Sequence, residues 1–466
     1  MELIKKARKF EIKPIAFICL AFMIVILVGS LFLWAPFSLN EGQSVEYIDA
    51  LFTSTSATCV TGLVSLPNGS VGDTYNIFGR FVVAILIQIG GLGAATLAMA
   101  FILIISSRLT MNQQTLVKES WNISSFKGLK KIFLLNLLIT FIAEFVGAIL
   151  LFFDLYFLHN DVVKGVDDAF GHAFFLSVSA FNNAGFDIFG NTSLIAFSDD
   201  VFMNLIIALL IIFGGLGYLV IIDMCSKKFC FKKMTLHTKV VIFMSLLLIF
   251  GGTITIYLSE NVPHFVNNNV PEGMTFLESF FLSVSTRTAG FTTYNLYDAQ
   301  ICSILLMDVL MFIGASPGGT GGGVKTTTIF ALFARIRSGI DGKAPHAFRR
   351  SINKDTIQKA FTLFFLSVLF LLFFIILIFG FEGKYIDGNG NTYSSLDYVF
   401  DAFSAFATVG LSTGVTPFFS IGSKLCLILL MYIGRIGPMS VSLSLFKTKH
   451  SNNITWKYVD DSLPIG

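Results

Sequence analysis

Long apolar runs and short amphipathic ones alternate along this chain in a fixed order. The apolar runs begin near Pro14, Ile77, Ile132, Val201, Val240, Ile301, Phe361 and Lys424. All but the sixth cover the roughly 18 residues that a helix needs to cross a bilayer, which predicts eight spans. The sixth is cut short by glycines. Between the spans of each successive pair lies a shorter stretch: Tyr47 to Ala57, Asp168 to Phe181, Phe276 to Thr286 and Asp397 to Ala407. None of these is long enough to cross as a helix, so each is predicted to enter the membrane and stop.

Every short stretch leads to a small residue, a glycine and a bulky apolar residue: Thr61-Gly62-Leu63, Ala184-Gly185-Phe186, Ala289-Gly290-Phe291 and Val409-Gly410-Leu411. The four glycines are 123, 105 and 120 positions apart in 466 residues, a period close to a quarter of the chain. Such a period implies four like units, with boundaries at 1–110, 111–230, 231–340 and 341–466. Backbone that follows a stopped helix must be buried in protein or line a water-filled cavity, because an unpaired peptide group in lipid costs several kcal/mol. The predicted fold is therefore an all-α membrane protein, with four membrane-pore-membrane repeats around a central pore.

Four such turns around one axis would present a ring of carbonyl oxygens able to replace the hydration shell of a cation. Each short helix would aim the negative end of its dipole at that ring. The expected lining is Thr58, Cys59, Val60, Thr61 and Gly62, then Asn182, Asn183, Ala184 and Gly185, then Thr288, Ala289 and Gly290, and last Thr408, Val409 and Gly410. Glycine suits this place because it tolerates positive φ and lets the backbone come close to an ion.

A second glycine layer follows, at Ile89-Gly90-Gly91-Leu92-Gly93, Phe213-Gly214-Gly215-Leu216-Gly217, Ile313-Gly314-Ala315-Ser316-Pro317 and Ile433-Gly434-Arg435-Ile436-Gly437. Its first glycines come 28, 29, 24 and 24 residues after the first set. In the third unit the run expands to Gly314, Ala315, Ser316, Pro317, Gly318, Gly319, Thr320, Gly321, Gly322, Gly323, Val324 and Lys325, which cannot remain a continuous helix. This predicts an intramembrane loop that acts as a gate, with a plain hinge as the alternative. A phosphate-binding loop is excluded by Val324 between Gly323 and Lys325 and by the membrane spans on either side.

In the fourth unit, Arg435 sits within an apolar span, where arginine costs roughly 2.5 to 3.5 kcal/mol at mid-membrane. Either it pairs with an acid such as Asp308, Glu144 or Asp223, or it faces the ion path below the carbonyl ring as part of the gate. Arg287, just before the third triplet, is expected to be a strut bonded to an acid behind the lining.

Composition agrees with the membrane reading: 54% of residues are hydrophobic and 13% charged, with a mean hydropathy of +0.77. The first run is too long for a signal peptide and no small-residue cleavage site follows it. Cations gather in alternate connections: Lys5, Lys6, Arg8 and Lys9; Arg108, Lys118, Lys127, Lys130 and Lys131; Lys227, Lys228, Lys232, Lys233 and Lys239; Arg335, Arg337, Lys343, Arg349, Arg350, Lys354 and Lys359. The other connections carry Glu41, Glu46, Asp49, Asp73, Asp167, Asp168, Asp187, Asp199, Glu260, Glu272, Glu278, Asp298, Glu382, Asp387 and Asp397, with few cations such as Lys164 and Lys384. The positive-inside rule then places both termini in the cytoplasm of a multi-pass cell-membrane protein. The net charge of +3 is a sum over two opposed faces and does not point to nucleic acid. Cys225 and Cys230 have only His237 nearby, and His159, His172, His237, His264, His346 and His450 show no metal-ligand spacing, which argues against a membrane enzyme.

The four triplets, the loop from Gly314 to Gly323 and the run Gly434-Arg435-Ile436-Gly437-Pro438 together resemble the membrane subunits of bacterial potassium uptake systems of the Trk/Ktr type, related to plant HKT transporters. Length and a short tail make the chain most similar to the Ktr-type subunit. That resemblance implies a potassium-translocating subunit, since Gly62 stands where a serine is associated with sodium selectivity in the family. Sodium is the second candidate ion. The resemblance also implies a homodimer seated on a cytoplasmic nucleotide-binding regulatory subunit, for which the basic loop with Arg349 and Arg350 is either a docking surface or topology-setting charge. The competing function is a sodium-coupled secondary transporter, which would also use broken helices, although many such transporters carry inverted repeats.

Overall fold

The structure is a computed structural model that describes residues 14–93, 129–159, 162–163, 165–190, 192–266, 273–382, 385–386, 392–438 and 441–442. Lys5, Lys6, Arg8, Lys9, Arg108, Lys118, Lys127, Lys164, Glu272, Lys384, Asp387 and His450, used above, lie outside the described residues. The same order of elements recurs four times: a first helix, a short helix, a turn and a second helix. The first helices are α1 (Pro14–Trp34), α4 (Leu129–Leu158), α8 (Leu236–Val266) and α12 (Lys354–Phe381). The short ones are α2 (Tyr47–Cys59), α5 (Val166–Phe181), α9 (Phe276–Ser285) and α13 (Ser395–Ala407). The second helices are α3 (Ile77–Gly91), α6 (Val201–Leu216), α10 (Ile301–Phe312) and α14 (Ile421–Ile436). Two further helices, α7 (Tyr218–Ser226) and α11 (Thr326–Asp341), continue the second and third units. Among the described residues, two short hairpins, β1 (His346–Ala347) with β2 (Arg350–Ser351) and β3 (Tyr385–Ile386) with β4 (Thr392–Tyr393), join a four-residue helix at Val71–Thr74 and five 3-10 turns in the connections.

Each short helix starts on a local signal. Capping boxes open α9, from Thr275 and Glu278, and α13, from Ser394 and Asp397. Acids in the first turn of α2 (Asp49) and α5 (Asp167, Asp168) offset the positive end of the dipole. The stretches Leu134–Leu158, Leu236–His264 and Lys354–Phe381 are long and apolar enough to cross a membrane. Their outer faces are bare, with Phe145 68%, Leu369 65% and Ile376 69% exposed, a pattern that lipid covers and water does not.

The second helices differ from expectation. They hold 15, 16, 12 and 16 residues, short of the ~20 that span a bilayer. In the first, second and fourth units the helix stops beside a glycine with positive φ: Gly93 (φ 83°), Gly217 (φ 88°) and Gly437 (φ 97°), each three residues after the inner glycine. At Gly217 the chain bends by 91° into α7. In the third unit Pro317 takes that position, and the helix is already over at Phe312.

First and short helices are joined by one repeated device. Ser54 Oγ donates to Ile26 O (2.7 Å), Ser177 Oγ to Glu144 O (2.7 Å) and Ser283 Oγ to Ile249 O (2.8 Å). Three residues past each acceptor stands a glycine, Gly29, Gly147 or Gly252, where a methyl group would collide with that serine. The fourth unit has Ala402 in place of the serine.

The two ends of the fold are tied by Lys424 of α14 and Asp49 of α2, whose Nζ and Oδ1 lie 2.6 Å apart with both residues buried. Ser65 Oγ donates to the same oxygen at 2.7 Å. Lys424→Met is expected to destabilise the fold by about 3–5 kcal/mol, because it leaves a buried carboxylate without its counter-ion. Adding Asp49→Leu should recover much of the loss. Thermal unfolding in detergent measures both, and an unchanged midpoint for Lys424→Met would refute the tie.

Candidate functional site

The turn after each short helix has the same backbone path. A non-glycine residue in the left-handed region, Val60 (φ 58°), Asn183 (φ 59°), Thr288 (φ 75°) or Thr408 (φ 54°), stands two positions before Gly62, Gly185, Gly290 or Gly410. Those glycines have φ of 97°, 70°, 82° and 99°. A β-branched residue such as Val60 or Thr408 adopts positive φ only where its surroundings enforce it.

Serines supply part of that enforcement. Thr61 N–H donates to Ser56 O (2.8 Å) and Gly62 N–H to Ser56 Oγ (3.0 Å). In the second unit Ala184 N–H and Phe186 N–H reach Ser179 O and Oγ, and in the fourth Val409 N–H and Gly410 N–H reach Ser404 O and Oγ. In the third unit the serine is displaced by one, and Ser285 Oγ donates to Phe291 O. These serines were not singled out from the sequence, although Ser56, Ser179 and Ser404 all stand six residues before their glycine.

The four turns meet. A methyl group on Gly62 would lie 2.6 Å from Ala184 O, and one on Gly185 would lie 2.7 Å from Ala289 O. One on Gly290 would strike Val409 O, and one on Gly410 would strike Thr61 O. The contacts run from the first unit to the second, third and fourth and back to the first, a closed ring of backbone. Of the expected lining, Thr58 and Cys59 fall in the last turn of α2 and Asn182 caps α5, whereas Val60, Thr61, Asn183, Ala184, Thr288, Ala289, Thr408 and Val409 lie in the turns.

On one side of the ring a cavity of about 630 Å³ is lined by all four glycines together with Asp187, Ser193 and Thr413. Burial pushes the Asp187 carboxyl up to about 6, against the hydrogen bond from Phe189 N–H.

On the other side lies the loop of the third unit. Ser316 N–H donates to Gly215 O (3.2 Å), Thr320 N–H to Gly214 O (3.2 Å) and Tyr218 N–H to Gly318 O (3.3 Å), so the loop rests on the broken helix of the second unit. Gly322 N–H donates to Thr408 Oγ1 (3.0 Å), and a methyl group on Gly321 would collide with Thr288 Oγ1. Lys325 Nζ donates to Gly321 O (2.6 Å) and Gly322 O (3.3 Å). Arg435 donates to Thr320 O and to Gly90 O. Loop and arginine together touch the inner ends of all four units.

The inner glycines explain this closeness. Gly90, Gly214 and Gly434 abut the carbonyls of Thr58, Phe181 and Phe406, each four residues before its ring glycine. Gly314 instead abuts Gly322 O, so the loop occupies the place that the end of a short helix takes in the other units.

For Arg435 one of the two alternatives drops out, and for Arg287 the expectation is corrected. Arg435 pairs with no acid among the described residues: Glu144 accepts from Asn182 Nδ2 (2.8 Å) and Asp223 from Thr235 and Thr238, while backbone carbonyls take the guanidinium. Arg287 is buried, yet no acid among the described residues bonds it, and its Nε has no partner. The buried Asp401 accepts from Thr416 and Ser412.

The family model described as "TrkH: Cation transport protein" matches residues 16–458. The chain is 34% identical over 470 residues to the potassium/sodium uptake protein NtpJ of Enterococcus hirae, with 100% of both chains covered. It is 33% identical over 444 residues to Ktr system potassium uptake protein B of Bacillus subtilis, with 94% of each covered. The crystal structure of the potassium transporter TrkH from Vibrio parahaemolyticus shares the fold, with a TM-score of 0.67 at 20% identity over 94% of this chain and 86% of that one.

Thr408→Val removes the hydroxyl that holds Gly322 N–H, at an expected cost of about 0.5–1.5 kcal/mol to loop docking. Amide hydrogen exchange across residues 318–323 should quicken by about two- to tenfold, the ratio that cost sets, while α13 stays protected. Equal protection in parent and variant would show that the hydroxyl does not anchor the loop.

Proposed function

The chain belongs to the TrkH family of cation transport proteins, close to the Ktr-type uptake subunits and not an enzyme, and on that footing we propose that it is the potassium-selective ion-translocating subunit of an uptake system in the cell membrane. The closed ring of Gly62, Gly185, Gly290 and Gly410 carries the reading. A stripped potassium ion needs oxygen ligands from every side, and four backbone segments converging on one axis supply them without side-chain charge. The ends of α2, α5, α9 and α13 add their partial negative charge at the same place. The four repeats are then one pore, the cavity with Asp187 its outer mouth, and Thr58 to Gly62 with the matching residues of the other three units its filter.

The loop from Gly314 to Gly323 with Lys325 and Arg435 is the gate in this reading. Its carbonyls are held by two cations beneath the ring, and the guanidinium raises the barrier to an ion leaving inward. Regulation would come through a cytoplasmic nucleotide-binding partner and a homodimer, with the basic hairpin at Arg349 and Arg350 as the docking face. Sodium is the competing ion.

Uptake by a potassium-deficient host, with parent and Gly62→Ser compared in potassium and in sodium, is the deciding experiment. The serine side chain would be forced against Ala184 O at positive φ. Potassium uptake and its preference over sodium should both fall, and an unchanged preference would remove the ring from the ion path. Arg435→Ala is expected to raise flux by up to about tenfold, equivalent to roughly 1.4 kcal/mol off the barrier. Unaltered flux in a folded variant would deny Arg435 a gating role. Because burial keeps Asp187 protonated below its raised value of about 6, uptake at limiting cation should climb as external pH rises from about 5 to 7. Asp187→Asn should flatten that part of the profile.

A further inference from the structure

His159, which follows the end of α4, meets Asp200, the residue that caps α6, with Nε2 and Oδ2 2.6 Å apart. The sequence hides this cluster, because 41 positions separate the pair. Asp154, one turn before the end of α4, completes the set: one ligand atom from each of the three residues lies within 4.8 Å of the others. Asp200 is held in place from behind, since its Oδ1 accepts from Phe202 N–H (2.9 Å) and Met203 N–H (3.0 Å), while Oδ2 faces the cluster and meets His159. The ring of Phe197 packs edge-on against the imidazole at 4.9 Å.

Asp154 supplies the observation that points to a ligand. Asp154 is 2% exposed, and neither of its oxygens receives a hydrogen bond from an amide, hydroxyl or cation among the described residues; the group it faces is the like-charged carboxyl of Asp200. A buried acid without a partner is costly, and a second carboxylate beside it adds repulsion. The buried acids Asp49, Glu144 and Asp401 each have at least one donor, whereas Asp154 has none on either oxygen.

We propose that Asp154, His159 and Asp200 bind a divalent transition-metal ion of the zinc class. Two carboxylates and a neutral imidazole balance its charge, and the imidazole selects a zinc-like ion over magnesium, which prefers six oxygen ligands and keeps its waters. Donors on one zinc at about 2.1 Å sit about 3.4 Å apart, so small side-chain rotations convert the present set into three protein ligands plus one open position for water. The His159 and Asp200 side chains are 22% and 13% exposed, which gives the ion a way in. Once bound, it staples the first span of the second unit to the cap of its second span. The turn between them already reaches the third unit through Leu194 N–H and Thr292 O (3.0 Å), close to the glycine ring.

The test uses the full chain, purified without a histidine tag, titrated with Zn²⁺ alone and followed by metal stoichiometry and thermal midpoint. One ion per chain and a higher midpoint are expected, with no response to Mg²⁺. His159→Gln, at a partly exposed position, and Asp154→Asn should each weaken binding by at least about tenfold, the least that loss of even an outer-shell partner costs. Zinc affinity unchanged in His159→Gln would place the ion elsewhere and overturn the site. Absence of zinc binding by the parent would overturn it as well, leaving a proton shared between Asp154 and Asp200. Should Asp154→Asn fail to fold, His159→Gln alone decides.

Discussion

Stopping a helix partway through an apolar slab is the constraint around which the rest of this molecule is arranged. Each short helix ends with carbonyls and amides that neither lipid nor a further helical turn can satisfy, at several kcal/mol apiece. The chain answers with a fixed kit: a left-handed residue that reverses the backbone, a serine that takes the freed amides, and a glycine at positive φ that brings the turn against its neighbour. Because each glycine leans on the carbonyl of the next unit, no single turn is stable alone. The ring is a joint solution by four segments, and the Lys424–Asp49 pair holds its first and last members together.

The second helices obey the same constraint from below. They end at a common depth because Gly90, Gly214 and Gly434 must lie flat against the ends of the short helices, and a positive-φ glycine three residues later turns the chain away. The third unit breaks the pattern and thereby becomes useful. With Pro317 where a glycine stands elsewhere, its helix ends early, and the freed residues 313–325 cross beneath the ring. A loop of bare peptide needs partners for its amides and carbonyls: Tyr218 of the second unit, Lys325 of its own and Arg435 of the fourth donate to its carbonyls, while Thr408 of the fourth accepts from Gly322 N–H. An element held by many weak bonds to the second, third and fourth units, and linked through Arg435 to Gly90 of the first, is well placed to respond to a change in any of them, which fits the proposed gating role.

Much of this was readable in the residues. Glycine leaves a mark wherever backbone must approach backbone, so the four triplets, the second layer and the expanded run of the third unit all stand out in the sequence, and each set meets backbone in the structure. The bounds of the short helices fell within two residues of the structure, because capping residues and first-turn acids sit beside them in sequence. What escaped were pairings between distant positions. The apolar pattern overstated the second helices, since hydropathy is blind to where a glycine will flip φ. Of the two alternatives open for Arg435, the acid partner fell away, because carbonyls of Thr320 and Gly90, which carry no side-chain signature, take the guanidinium.

The sequence by itself determined where the long apolar helices and the four short ones lie, where each short one halts, and that the third copy departs from the rest, because these depend on local hydropathy, propensity and glycine. Only the tertiary structure decided which carbonyl each glycine touches, which donor holds each loop amide, and that Asp154, His159 and Asp200 share one corner. Such contacts join residues tens to hundreds of positions apart, and nothing in a local stretch of chain encodes the identity of its distant neighbour.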